Sequence, residues 1–193
     1  MTIEDLNEFW KLSLRGCDPE AHNLKYLFQN RWVRFHALPE SKRYPEFESE
    51  YQEILFRHNT VLRELNGLSN KLTIILPEYS EEREPRSLER ALQILFPETE
   101  FWCSLVRYDR GEKEEFFWHL YAAIVQYSGR ELNGLFRLVA NDEVRNVIVV
   151  SLRSQSVFHP YDGGTDIILP TTAARNQFKR KHIQWLSKHP DGY

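Results

Sequence analysis

The stretch Val157-Phe158-His159-Pro160-Tyr161-Asp162-Gly163-Gly164-Thr165-Asp166-Ile167-Ile168-Leu169 constrains the fold of this chain more than any other. An apolar segment runs into an Asp/Gly turn and out into a second apolar segment. Asp bonds its own backbone and Gly accepts conformations closed to other residues, so the pattern reads as a tight β-hairpin. It predicts a positive φ at Gly163 or Gly164. Two strands joined this closely must pair antiparallel, because a parallel pair needs a long crossover. The chain then continues into a closing helix, Thr172 to Lys188, with Phe178, His182, Trp185 and Leu186 spaced for one inward face.

Similar reasoning orders the rest of the chain. Thr2 with Asp5 three residues on has the form of a capping box, opening a helix whose Ile3, Leu6, Phe9 and Trp10 share a face until Gly16, Asp18 and Pro19 end it. Asn23 to His36 alternates aromatics with Arg31 and Arg34 and reads as irregular structure leading into a short strand. Glu46 to Leu65 is the clearest helix, with Tyr51, Ile54, Leu55, His58, Val61, Leu62 and Leu65 on one stripe and Gly67 to stop it. Leu72 to Leu76 reads as a strand ended by Pro77, and Ser87 as the cap of a helix carrying Leu88, Ala91, Leu92 and Leu95. Phe101 to Tyr108 and Phe116 to Tyr127 read as paired strands joined by a turn at 109–113. Glu131 to Ala140 is a second striped helix, and Val144 to Leu152 a buried strand. Strands clustered between helices and joined by tight turns predict one α+β domain over residues 1–193. Its sheet is mainly antiparallel, flanked by helices and closed by the hairpin and final helix.

Charge and cysteine usage narrow the class. The net charge of −3 argues against a protein devoted to nucleic acid. The distribution is uneven: Glu78 to Glu100 holds seven Glu against three Arg, whereas Arg175 to His189 holds five cations and no acid. Two separated cysteines, Cys17 and Cys103, supply neither a disulfide framework nor a thiolate metal site. The first residues lack the basic and apolar regions of a secretory signal, and no apolar run approaches the roughly 20 residues of a membrane span. A cytoplasmic protein that uses no membrane is expected.

Two segments carry groups with chemistry. Arg34, His36, Lys42 and Arg43 crowd a proline-pinned loop and could grip a phosphate or stack on a base. The simpler account pairs them with Glu46, Glu48 and Glu50 just downstream. The hairpin holds Tyr161, Asp162 and Asp166, of which Asp162 and Asp166 could bind a cation or act as an acid–base pair, with His159 as a proton carrier. The simpler account is that a tight β-turn by itself requires Asp162-Gly163-Gly164. His58 and His119 fall on apolar faces and read as hydrogen-bonded core histidines. No metal-binding pattern, glycine-rich phosphate loop or nucleophile elbow is present, so neither a catalytic set nor a metal or cofactor is assigned.

The block Arg31-Trp32-Val33-Arg34-Phe35-His36-Ala37-Leu38-Pro39-Glu40-Ser41-Lys42-Arg43-Tyr44-Pro45, followed by Tyr51, Ile54, Leu55 and Arg57 to Leu62, resembles the N-terminal signature of an uncharacterised bacterial family, a domain of unknown function. Tyr161-Asp162-x-Gly164-x-Asp166 with Trp185-Leu186-Ser187 is similar to its C-terminal half. The resemblance implies an α+β fold and a bacterial origin, and no catalytic residues. Small proteins of this kind often resemble members of toxin–immunity cassettes. The leading functional expectation is therefore a protein-binding immunity protein that covers a basic toxin domain, using Glu81, Glu82 and Glu84 between Pro77 and Pro85. The alternative is an enzyme or nucleotide-binding protein that joins Arg34, His36, Lys42 and Arg43 to Tyr161, Asp162 and Asp166. Convergence of those two segments in one cleft would favour it.

Overall fold

Seven strands form one antiparallel sheet in the order β1-β7-β6-β5-β2-β4-β3 in the computed structural model, which describes residues 2–67, 69–108 and 115–186. The strands are β1 (Trp32–His36), β2 (Lys71–Ser80), β3 (Glu100–Tyr108), β4 (Glu115–Gln126), β5 (Ile148–Ser151), β6 (Ser156–Tyr161) and β7 (Gly164–Ile168). The helices are α1 (Ile3–Ser13), α2 (Ala21–Leu27), α3 (Glu48–Asn66), α4 (Arg90–Leu95), α5 (Asn133–Ala140) and α6 (Thr172–Lys181). This is the α+β class the strand and helix pattern predicts. The turn expected at 109–113 and the end of the closing segment lie outside the described residues.

Strand alternation gives the sheet two apolar faces. Val33, Phe35, Ile74, Phe158 and Ile167 point to one face, where α3, α4 and α5 supply Leu55, Leu62, Leu92, Leu135 and Phe136 and α6 packs its Phe178. Ile75, Leu120, Ile148, Val157 and Ile168 point to the other, against Leu6, Phe9 and Trp10 of α1 and Leu24 of α2. Four helices thus back one face, whereas two share the second. That asymmetry leaves part of the second face for a cavity.

Several local expectations hold at atomic detail. Thr2 and Asp5 form the capping box, the Thr2 hydroxyl accepting from the Asp5 amide at 3.3 Å and the Asp5 carboxylate from the Thr2 amide at 2.7 Å. Gly67 closes α3 with a φ of 57°. His58 is buried on the α3 stripe as expected, edge-on to Phe136 and Phe158 at 5.0 and 5.4 Å, but the hydrogen bond expected of it is missing at Nδ1, which has no partner. His119 is buried and satisfied by Ser104 Oγ at 2.7 Å and the Glu82 carbonyl at 2.9 Å.

Others are corrected by tertiary contacts. Residues 23–27 belong to a helix rather than irregular chain. No local side chain caps α2; Asn146 Oδ1 accepts from the Ala21 amide at 2.7 Å and its Nδ2 donates to the Pro19 carbonyl at 3.2 Å, a cap delivered from over a hundred residues away. β2 runs through Pro77 to Ser80. β5 pairs only with Thr73–Ile75, so at Pro77 the strand has a neighbour on the β4 side alone, where a missing N–H is tolerated. Ser87 does not cap α4, which begins at Arg90 behind Glu89. The strand expected over Val144–Leu152 is confined to Ile148–Ser151. The closing helix stops at Lys181, because His182 turns inward to bond Glu64 at 3.0 Å and stacks on Trp185 with centroids 4.6 Å apart.

The hairpin forms as expected, with Tyr161 opposite Gly164, but neither glycine has a positive φ. Gly164 is required for another reason. A Cβ there would lie 2.3 Å from the Phe35 carbonyl oxygen of β1 and 3.0 Å from the Tyr161 hydroxyl. The constraint is the close approach of a third strand, which the hairpin's own sequence does not contain.

Candidate functional site

The uncovered part of the second sheet face is a cavity of about 780 Å³. Its wall starts from register. Arg34 on β1 lies opposite Asp166 on β7, and Asp166 lies opposite His159 on β6. Directly opposed residues share a face, so three adjacent strands deliver a row Arg34–Asp166–His159, and Tyr161 follows two residues on from His159. Asp162 in the turn and Arg43 from the loop after β1 extend this wall. The α2 side chains His22 and Lys25 form a second wall, and Asp142, Arg145 and Asn146 a third. Tyr79, Phe116 and Trp118 supply an aromatic surface, with Tyr79 and Trp118 edge to face at 5.4 Å.

Each carboxylate in this site is held by an arginine. Asp166 takes a bidentate bond from Arg34, Nε to Oδ1 at 2.7 Å and Nη2 to Oδ2 at 2.8 Å, and both side chains are largely buried. Planar two-point pairs of this kind are among the stronger protein hydrogen bonds. The Arg34 guanidinium also lies over the Tyr161 and Trp32 rings, 5.1 and 5.4 Å from their centroids. Asp162 accepts from Arg43 Nε at 2.6 Å. Asp142 accepts from two nitrogens of Arg145, which hold its carboxyl below the usual carboxylate range.

His159 is oriented differently. Its Nδ1 lies 2.9 Å from the Val147 carbonyl, and burial pushes the imidazole below its ordinary value. Burial raises the Tyr79 phenol to about 12 and pushes the Tyr161 phenol up as well, so both stay protonated at neutral pH. Burial raises the Cys103 thiol to about 11 and lifts Cys17 too, which disfavours the thiolate of both at neutral pH. Among the described residues no His/Cys/Asp/Glu group has the arrangement to hold a metal ion.

The two segments singled out in the sequence therefore meet, though not completely. Arg34, Arg43, Tyr161, Asp162 and Asp166 line one cavity. Arg34 and Arg43 pair with hairpin carboxylates and not with the acids of α3, which corrects the simpler pairing account for those two. It holds for Lys42, whose Nζ binds Glu50 at 2.7 Å and Glu46 at 3.3 Å outside the cavity. His36 also stands apart, 3.2 Å from the Ser41 hydroxyl. Glu81, Glu82 and Glu84 are exposed on a different segment, after β2. Its backbone is clamped by His119 on the Glu82 carbonyl and by Tyr121 on the Arg86 carbonyl, and the Glu82 side chain pairs with Arg86. His22, Lys25, Tyr79, Phe116, Trp118 and Arg145 were not legible as site residues. They come from four separate segments, and no local pattern joins them.

The fold and cavity define an α+β protein with a charged, aromatic-walled pocket on one sheet face. The chain belongs to the DUF3885 family, a domain of unknown function, whose family model matches residues 21–190. No curated protein and no solved structure matches it. Among the described residues no helix is long and apolar enough to cross a membrane.

Proposed function

We propose that this is a small-molecule-binding protein whose cavity takes a planar, anionic ligand of the nucleotide class. The observation that carries the reading is the convergence of Arg34 and Arg43 with Tyr161, Asp162 and Asp166 beside Tyr79, Phe116 and Trp118. Concave sites with a largely apolar wall and a few convergent polar groups are the usual form of small-ligand pockets. The aromatic surface suits a flat ring, and Lys25, Arg43 and Arg145 offer cations to a phosphate or carboxylate. The site would act in the cytosol of a bacterium.

The test is titration with nucleoside 5′-mono- and diphosphates by calorimetry and tryptophan fluorescence. Saturable binding is expected, weakened about ten-fold by Trp118→Ala, since stacking on one aromatic ring is worth about 1–3 kcal/mol. Lys25→Glu should weaken phosphate-bearing ligands without lowering the melting temperature. Absence of binding, or binding indifferent to both changes, would refute the reading.

A second reading, an immunity protein that inhibits a basic toxin domain, is favoured by the exposed, backbone-clamped Glu81, Glu82 and Glu84. Exposed charges of this kind govern association rate more than complex lifetime and are screened by salt. Reversal of all three to Lys should slow capture of a basic toxin domain and flatten its salt dependence. An unchanged rate would remove this segment from the interface.

A further inference from the structure

Within the cavity reading, on which this inference rests, we propose that His159 sets ligand specificity: its Nε2 accepts a hydrogen bond from a ring N–H of the bound heterocycle. Bases with an imide or lactam N–H edge, of the uracil or guanine kind, would then be preferred.

The argument begins with the other ring nitrogen. The Val147 carbonyl can only accept, so Nδ1, 2.9 Å away, carries the proton. On a neutral imidazole that leaves Nε2 as a bare acceptor. Two features keep the ring neutral. It is almost entirely buried, and the cation Arg34 lines the same cavity. Asp166, the carboxylate opposite it, favours the charged ring, but burial outweighs that pull and both Asp166 oxygens are engaged by the opposing charge of Arg34.

The remaining polar groups of the cavity make this acceptor distinctive. Asp142, Asp162 and Asp166 each already receive an arginine, and Asn146 Oδ1 is taken by the Ala21 amide. No described protein group donates to His159 Nε2. The cavity thus offers donors to the anionic end of a ligand and, in His159 Nε2, a neutral acceptor to its ring. A buried acceptor left unmatched costs about 1–3 kcal/mol, which converts to roughly five- to hundred-fold in affinity. Sites built to hydrogen-bond an N–H reject analogues that lack it for this reason.

The experiment compares uridine 5′-monophosphate with its 3-methyl and 5-methyl derivatives on the wild-type protein, and guanosine 5′-monophosphate with its 1-methyl derivative. Methylation at the ring N–H should weaken binding at least five-fold. The 5-methyl compound adds the same bulk, keeps the N–H, and should bind within about three-fold of the parent. His159→Phe should abolish the discrimination, and His159→Gln, which retains an acceptor oxygen, should preserve part of it. If uridine and guanosine monophosphates bind but N-methylation has no effect, this assignment is overturned while the cavity reading stands. If no nucleotide binds, both fall. The wild-type ligand series decides the matter even where a His159 variant fails to fold.

Discussion

The His58→Leu substitution isolates one buried titration. His58 sits at the centre of the α3 contact, against Phe136 of α5 and against Phe158, the neighbour of His159 on β6. Burial lowers its imidazole from the ordinary 6.5 to about 3, with Arg57 contributing further. The folded ring is therefore neutral throughout the range in which the unfolded one takes up a proton. Stability from this residue is fully present above 6.5 and is lost as pH falls toward 3. Between pH 7.5 and pH 5 that loss amounts to about 2 kcal/mol, since each pH unit below the unfolded value costs about 1.4 kcal/mol. Leucine has similar volume, cannot be protonated, and removes an Nδ1 that is buried without a partner. At pH 7.5 the variant should be within about 1 kcal/mol of the parent, the gain from the lost polar atom offsetting the lost edge contacts. On going to pH 5 its stability relative to the parent should rise by about 2 kcal/mol. Urea denaturation of both proteins at the two pH values measures the double difference, in which every other titrating group cancels. A value below about 0.5 kcal/mol would mean that His58 is reachable by protons in the folded state, and would refute its burial as argued here.

Two further outcomes follow from the hairpin. Gly164→Ala should destabilise by about 2–3 kcal/mol, because the methyl must push β1 and β7 apart, whereas Gly163→Ala should stay within about 0.5 kcal/mol, its nearest neighbour being 3.4 Å away. Equal effects in chemical denaturation would show that the turn, and not the third strand, sets the requirement. Asp166→Asn keeps the shape but strips Arg34 of its counter-charge. It should cost about 3–5 kcal/mol, and an effect under 1 kcal/mol would show that Arg34 is solvated in the folded protein.

Local sequence determined the elements whose cause is local. The capping box at Thr2 and Asp5, the long stripe of α3 with its Gly67 stop, and the paired strands β3 and β4 each depend on residues within one turn or one hairpin. The antiparallel class follows from them, because tight turns permit no other pairing. The site was legible in part: Arg34, Arg43, Tyr161, Asp162 and Asp166 stand out as polar groups in unusual company, and they do share a cavity. Whether they meet was a matter of register. Arg34 and Asp166 are separated by most of the chain, and only the placement of β1 beside β7 brings them opposite each other. The same holds for α2, whose cap comes from Asn146, and for Gly164, whose missing side chain makes room for Phe35. Periodicity reports which face of an element is apolar. It carries no record of which strand lies alongside, because that choice is made by the packing of the strands and helices together.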